Sequence, residues 1–250
     1  MDWKVVAASV SGISHAAQGN PCQDAFHWLK QDGVLIAIVC DGAGSAAESD
    51  FGAQHGSKTI CEEVIIQFNT MEEPPDREEL EFWIRTAIKT ARNTLPGVIN
   101  AEDMVRYHAT LVGVIVTDGI GLFFHIGDGM AMAVTNEQWH DAVVSKPENG
   151  STSLKTYFYT EPHWYKHIRF TELTSDIEVI ALMSDGAMSF IAHDDGSKIK
   201  TNFIIPVDKR LQELDSDSGD AVLKATLNHP ETHTITKDDK TLLWARRIED

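Results

Sequence analysis

The chain has 250 residues, of which 42% are hydrophobic and 24% are charged. This length and composition allow one sizeable core, so we expect a single domain over residues 1–250. The formal net charge of −17 argues against nucleic acid and anionic membranes as partners, because both require clustered lysine and arginine. No apolar run approaches the roughly 18 residues of a membrane span, and residues 1–10 do not resemble a signal peptide. We therefore expect a soluble, cytoplasmic monomer.

The three cysteines at positions 22, 40 and 61 are too few and too irregularly spaced for a disulfide framework or a thiolate zinc site. We expect them to be reduced residues in or near the core.

The first third of the chain predicts strands followed by helices. Residues 3–10 alternate like a strand, and residues 25–29 and 34–40 predict a hairpin across a turn at Asp32-Gly33. From Ala46 onward the apolar spacing becomes helical.

A second helical stripe follows. The break at residues 72–76 ends the first helix, and apolar residues between Leu80 and Ala91 recur at helical spacing. Two helices therefore follow each other in sequence.

Strands return in the second half. Residues 109–117, 121–126 and 130–135, joined at Asp118-Gly119 and at 127–129, predict an antiparallel meander. The remaining predictions are strands at 156–159, 167–173, 178–183 and 241–245, an exposed loop at 146–153, and a helix at 211–227. This order favours an α+β sandwich over alternating βαβ units.

Six Asp-Gly pairs punctuate the chain, and their flanking sequence separates them. Asp41 and Asp185 each end a buried apolar run and lead into small residues, so no hairpin partner follows. The pairs at Asp32, Asp118 and Asp195 are typical of turns. Asp128 lies between two strands and fits either role.

Five acidic residues stand at strand ends or in adjoining turns: Asp24, Asp41, Asp128, Asp185 and Asp238. Two carboxylates about 4 Å apart repel by roughly 4 kcal/mol at an effective dielectric near 20, so such a cluster requires protons or cations. Carboxylates, carbonyls and water are the ligands that Mg²⁺ and Mn²⁺ prefer. The sequence pattern does not by itself establish that the five converge.

The sequence resembles the type 2C metal-dependent Ser/Thr protein phosphatases over nearly its whole length. The resemblance rests on six short motifs in the order of that family: Gln23-Asp24-Ala25, Asp41-Gly42-Ala43-Gly44, Ala109-Thr110-Leu111, Gly127-Asp128-Gly129, Ser184-Asp185-Gly186 and Asp238-Asp239-Lys240-Thr241. Each motif alone is weakly specific, and their shared order is strongly so.

The resemblance implies a central antiparallel β-sandwich flanked by pairs of α-helices, with two Mg²⁺ or Mn²⁺ ions at one end. It implies that Asp41 bridges the metals, that the Gly42 carbonyl binds one, and that Asp185 and Asp238 complete the other. Asp24 would hold a water ligand, and Asp128 with Asp185 would form a weaker third site.

The implied reaction is hydrolysis of phosphoserine and phosphothreonine on proteins by a water that two metals activate, without a protein nucleophile. Asp41 and Asp185 would act catalytically through that water. The substrate would be a phosphoprotein, and a Ser/Thr kinase is an expected partner.

The sequence departs from the family pattern near the expected substrate pocket. Gln23 stands where the family often has glutamate, and Ala43 stands where some members have histidine. No arginine lies between Ser11 and Cys22, where the family places a phosphate-binding arginine. His15 is the candidate phosphate-binding cation in that segment, although a lone histidine in a turn also has an ordinary structural explanation.

Two other functions are compatible with the sequence. A phosphatase-like domain without activity could bind a kinase or signalling partner, as Gln23, Ala43 and the missing arginine suggest. Retention of the acidic set speaks against it, because a binding module has no need for mutually repelling carboxylates. An acidic Ca²⁺-binding sandwich ranks last, since no local loop has the spacing of known calcium motifs.

Overall fold

The computed structural model describes residues 2–71, 73–100, 102–148, 156–193 and 196–248. Its core is a pair of five-stranded antiparallel sheets. The strands are β1 (Asp2–Val10), β2 (Ala25–Gln31), β3 (Val34–Cys40), β4 (Leu111–Val116), β5 (Gly121–Ile126), β6 (Met130–Val134), β7 (Val143–Ser145), β8 (Arg169–Leu173), β9 (Val179–Met183) and β10 (Lys240–Ile248).

One sheet has the order β1-β10-β9-β6-β7 and the other has the order β2-β3-β4-β5-β8. The helices are α1 (Ile13–Gln18), α2 (Ser49–Thr70), α3 (Arg77–Asn93), α4 (Asp185–Ile191), α5 (Thr201–Gln212), α6 (Ser216–Leu227) and α7 (Thr232–Ile235). Helices α2 and α3 cover the outer face of the second sheet, and α4, α5 and α6 cover the outer face of the first.

Strand β3 is apolar at every position because it buries side chains on both faces. On β3, Leu35 packs between the two sheets, while Ile36 packs with α2 and α3. On β10, Leu243 faces the layer between the sheets, and Trp244 faces α5 and α6. The result is the predicted α+β architecture, a β-sandwich between helical layers.

The turn between β2 and β3 and the start of helix α3 both follow from the local sequence. The turn between β2 and β3 holds Asp32 at a φ of 48° and Gly33 at a φ of 80°, values that suit an Asp-Gly pair. Helix α3 begins with a capping box, in which Asp76 accepts from the Glu79 backbone N–H at 2.9 Å.

The predicted meander is wrong at its second turn. Strands β4 and β5 pair as expected, but β6 pairs with β7 and β9 in the other sheet. Residues 127–129 therefore cross between sheets, with Gly127 at a φ of 110°. The pattern could not show this, because β5 and β6 have the buried apolar composition of strands in either sheet.

Two further predictions need correction. The helix predicted at 211–227 is broken between α5 and α6, because Asp215 caps a new helix by accepting from the Ser218 N–H at 2.8 Å. Pro206 lies inside α5, and because proline usually interrupts a helix, the sequence did not predict the turns of α5 around it.

Residues 156–159 form no strand, and the short elements α1 and β7 were not predicted. The turn at Asp195, the loop end at 149–153 and Glu72 lie outside the described residues. In the described ranges, no helix combines the length and apolar character needed to cross a membrane. The described cysteines are free thiols, and Cys40 and Cys61 are buried.

Candidate active site

A cleft of about 670 Å³ lies where several strands of both sheets end. Asp41 follows the last residue of β3, Asp128 follows β5, Asp185 begins α4 after β9, and Asp238 precedes β10. All four line the cleft. Strands distant in sequence thus deliver carboxylates to one rim.

Three of these carboxylates form a tight group. One oxygen each from Asp41, Asp128 and Asp185 lies within 4.8 Å of the others. Asp238 lines the same cleft outside this group, and its charge helps to raise the pKa of both Asp128 and Asp185.

The pKa values of the group are displaced in the direction expected for crowded anions. Burial, followed by the charges of Asp24 and Asp185, raises the pKa of Asp41 well above its ordinary value. Burial and the charge of Asp128 raise the pKa of Asp185 to about 6. The group therefore favours bound cations or protons.

Asp41 is fixed by backbone pairing with the segment before β4. Its N–H donates to the Thr110 hydroxyl at 3.0 Å, and its carbonyl accepts from the Thr110 N–H at 2.8 Å. The Ala109-Thr110-Leu111 motif thus positions this carboxylate.

Gly42 is enclosed by backbone. Its N–H donates to the Gln23 carbonyl at 3.1 Å, and a Cβ placed on it would lie 2.7 Å from the carbonyl oxygens of Gln23 and Ser49. No larger residue fits there without moving the chain, which explains glycine after Asp41.

Asp24 lies behind the cleft and is buried. Its Oδ2 accepts from the Ser184 hydroxyl at 2.7 Å, whereas its Oδ1 is buried without a hydrogen-bond partner. Burial raises its pKa to about 8, although the Ser184 hydrogen bond opposes that shift. The chain places Asp24 close enough to Asp41 and Asp185 for their charges to interact.

Asp128 is oriented by the Thr156 hydroxyl, which donates to its Oδ2. Burial raises the pKa of Asp128, and this hydrogen bond acts in the opposite direction. The oxygen Oδ1 of Asp185 is buried without a partner. Unpartnered carboxylate oxygens in a polar cleft are acceptors that a cation would satisfy, so the residues present fit a divalent metal.

His15 lies on α1 and lines the same cleft. Its Nδ1 is 2.9 Å from Oδ2 of Asp239, and its Nε2 is 3.8 Å from the Cβ position of Gly44. The ring therefore reaches the loop that follows Asp41.

Asp239 turns away from the cleft. It is buried and accepts from the N–H groups of Gly12 and Gln23, both at 2.6 Å. The structure thus separates two adjacent carboxylates, with Asp238 in the cleft and Asp239 supporting the segment around His15.

Sequence reasoning missed the supporting roles of Asp239, Ser184 and Thr156. Ser184 and Asp239 lie inside the motifs quoted above, but only their neighbours Asp185 and Asp238 were interpreted as site residues. Thr156 follows a segment outside the described residues and has no sequence signal that links it to Asp128.

The family model for protein phosphatase 2C matches residues 11–228. The chain belongs to the protein phosphatase 2C family. It is therefore a protein serine/threonine phosphatase of a metal-dependent family. The match contains the segments that bear His15, Asp24, Asp41, Asp128 and Asp185. A comparison with curated proteins finds no significant match.

Solved structures share the fold at low sequence identity. A serine/threonine phosphatase from Staphylococcus aureus is 18% identical with a TM-score of 0.62, covering 100% of this chain and 96% of that one. The serine/threonine phosphatase of S. agalactiae is 14% identical with a TM-score of 0.68, covering 99% of this chain and 100% of that one. A structure described with the bacterial stressosome is 12% identical with a TM-score of 0.58, covering 98% and 100%.

Proposed function

We propose that this member of the family hydrolyses phosphoserine and phosphothreonine on proteins with two bound Mg²⁺ or Mn²⁺ ions. The observation that carries the proposal is the group of Asp41, Asp128 and Asp185, whose oxygens lie within 4.8 Å and whose pKa values are raised. A stable fold would not accumulate this repulsion without a compensating ligand.

Asp41 would bridge the two ions, the Gly42 carbonyl would bind one, and Asp185 and Asp238 would hold the other. Asp128 with Asp185 would form a third, weaker site. When bound, the ions supply a water nucleophile at neutral pH and neutralise the phosphoryl oxygens.

The remaining site residues orient these groups and the substrate. Thr110 fixes the backbone of Asp41, and Ser184 fixes the buried carboxylate of Asp24. Asp24 would hold a water near the ligands through its unpartnered oxygen. His15 would bind the phosphate from the cleft wall, held by Asp239.

The substrate class is phosphoproteins, and a Ser/Thr kinase would act on the same proteins. The likeness to a structure described with the bacterial stressosome supports a place in signalling. We further propose that residues 1–250 form one domain that acts as a monomer in the cytoplasm.

A binding module without activity is the second candidate. Ala43, which lines the cleft, and Gln23, next to Asp24, favour it, since they stand where some members of the family have histidine and where the family often has glutamate. The preserved group of Asp41, Asp128 and Asp185 opposes it.

The test is phosphate release from a phosphoserine peptide and from an aryl phosphate, with Mn²⁺ or Mg²⁺ and with excess chelator. Metal-dependent turnover supports the enzyme, and its absence in both assays rejects it. Calorimetry with Mn²⁺ alone separates the candidates, because a binding module without a metal site shows no heat at millimolar Mn²⁺.

A further inference from the structure

Lys237 is a cationic residue in the lining of the active-site cleft, and it is the one lysine or arginine among the described lining residues. The same lining contains five acidic residues: Asp41, Asp128, Asp185, Asp238 and Glu161. Two divalent ions would bring four positive charges, so five ionised carboxylates still leave the cleft without a net positive charge. A phosphate dianion therefore gains from a further cation at the cleft wall.

The backbone of Lys237 is held against the start of α1. Its carbonyl accepts from the Ser14 N–H at 3.2 Å. Gly12, the residue before α1, packs so closely that a Cβ placed on it would lie 2.3 Å from the same carbonyl oxygen. Lys237 therefore has a defined place beside the helix that carries His15.

This position supplies a charge that the neighbouring segment lacks. Residues 11–22 contain no arginine, although the family has its phosphate-binding arginine there. The hydrogen bond from Ser14 brings Lys237 to that segment from more than two hundred positions away in the chain. The two segments meet only in the folded protein, so the order of motifs in the sequence does not reveal the replacement.

The side chain of Lys237 is exposed, and within the described ranges it forms no ion pair with a carboxylate. A lysine ammonium is a compact charge on a flexible four-carbon stem, so it adjusts to an anion without a preset rotamer. It binds phosphate as a point charge, whereas arginine binds through parallel N–H groups. Lysine at this position therefore suits a phosphate group at the cleft wall.

We propose that Lys237 binds the phosphate group of the substrate, beside His15 and in place of the upstream arginine. This proposal rests on the proposed function and adds a substrate-binding residue to the same site. The ammonium of Lys237 and the ring of His15 would contact phosphoryl oxygens from one wall of the cleft. Two other roles compete with this one: contact with the polypeptide around the phosphate, and an effect on the metals through Asp238.

The kinetic test uses Lys237→Met, which removes the charge and keeps an unbranched side chain. Lys237→Arg keeps the charge, and Lys89→Met makes the same substitution at an exposed position of α3. Each variant is assayed at saturating Mn²⁺ with a phosphoserine peptide and with an aryl phosphate. The aryl phosphate has no polypeptide, so it reports on contacts with the phosphate group.

We expect Lys237→Met to raise KM about fivefold for both substrates, as one partly exposed charge pair would supply. The kcat should change less, since a charge that meets the phosphate in the ground state and the transition state alike adds uniform binding. Lys237→Arg should keep most of the wild-type KM, and Lys89→Met should match wild type. An unchanged KM in Lys237→Met would overturn the proposal, and so would a rise confined to the peptide.

Two further measurements exclude the competing explanations. Lys237→Met removes a positive charge, so it should not weaken Mn²⁺ binding in calorimetry; weaker binding would mean that the variant acts through Asp238 and would overturn the proposal. Lys155 precedes Thr156 of the cleft lining and lies outside the described residues. If Lys155→Met raises KM for the aryl phosphate and Lys237→Met does not, the assignment to Lys237 is wrong.

Binding of inorganic phosphate separates this proposal from the proposed function. Calorimetry of the Mg²⁺-loaded protein with inorganic phosphate requires no turnover. If wild type hydrolyses neither substrate, the proposed function fails, while phosphate binding about fivefold weaker in Lys237→Met than in wild type and Lys89→Met still supports the proposal. Equal phosphate affinity in the three proteins, or no binding by wild type, would overturn it.

Discussion

Oδ2 of Asp239 lies 2.9 Å from Nδ1 of His15, and the same buried carboxylate accepts the backbone N–H groups of Gly12 and Gln23. One side chain therefore joins the start of β10 to the loop around α1. The other ring nitrogen, Nε2, lies 3.8 Å from the Cβ position of Gly44, in the loop that follows Asp41 at the cleft.

The first prediction concerns this pair. His15→Gln should raise the KM for a phosphopeptide about tenfold, because a hydrogen bond to a charged group contributes roughly 1.5–3 kcal/mol. Asp239→Asn should give a smaller rise and should change the ¹⁵N shifts of the His15 ring in the metal-free protein. Steady-state kinetics and NMR measure the two effects.

The exposed His163→Gln variant is the control and should behave as wild type. If His15→Gln keeps both kcat and KM, His15 does not bind the phosphate and its contact with Asp239 only supports the fold.

The second prediction concerns the metal ligands. Asp41→Asn and Asp185→Asn should each lower kcat/KM by more than about a hundredfold, since even residues that only support a ligand cost roughly 10–100-fold in metal affinity or activity. Each should also raise the melting temperature of the metal-free protein, because one of several repelling carboxylates is removed.

The control for this pair is Asp32→Asn in the exposed turn between β2 and β3, where asparagine also tolerates the positive φ. Loss of activity together with a lower melting temperature would indicate damage to the fold instead of loss of a ligand.

Much of the architecture followed from the sequence because its strands are strongly patterned. The hairpin from β2 to β3 and the helices α2 and α3 had clear periodicity and clear turn residues. The crossing between sheets at residues 127–129 had no such signal. Asp-Gly between apolar runs is typical of hairpins, and which sheet a strand joins depends on packing against residues distant in sequence. Asp128 reaches the cleft because of that crossing.

The candidate site, like the fold, has parts that the sequence predicts and parts that it does not. The aspartates at strand ends were found from motif order, and three of them meet within 4.8 Å. The contact between His15 and Asp239 joins residues more than two hundred positions apart, and no local pattern encodes it. The family resemblance singled out Asp238, but no pattern in the sequence showed that its neighbour Asp239 is buried and contacts His15.

The third prediction concerns the backbone at Gly42. Gly42→Ala should destabilise the protein by about 1–3 kcal/mol, because the new methyl group would press on the carbonyls of Gln23 and Ser49. The displaced carbonyl should also weaken Mn²⁺ binding. Denaturant unfolding of the metal-free protein and calorimetry measure these effects separately.

Gly119→Ala is the matched control, since no atom lies within 4 Å of its Cβ position. Equal stability and equal Mn²⁺ affinity in Gly42→Ala and Gly119→Ala would show that the enclosure of Gly42 is unimportant for the site.

The fourth prediction concerns pH and the metal-free protein. Burial raises the pKa of Asp24 to about 8 in the folded chain, whereas an unfolded aspartate titrates near 3.8. Between these values the folded state holds a proton that the unfolded state has released, so the free energy of unfolding falls as pH rises and levels off above pH 8. Asp185, with a pKa of about 6, acts in the same direction over a lower range.

Asp41, whose pKa burial raises well above its ordinary value, also makes the free energy of unfolding fall as pH rises, so we examine the window from pH 6.5 to 8, where both carboxyls contribute. Buried His125, whose pKa is well below the ordinary 6.5, makes the opposite contribution only at lower pH, where the unfolded state gains its proton. Over the window we expect a loss of about 1 kcal/mol per pH unit in urea unfolding with chelator present. Asp24→Asn should reduce the slope, and Asp32→Asn should not.

Saturating Mn²⁺ should stabilise the folded state most at the upper end of this pH window, since the cation replaces the protons that the carboxylates lose. A metal-free protein whose stability rises through this window would mean that these carboxylates are already ionised, and the electrostatic argument for the metal site would fail with it.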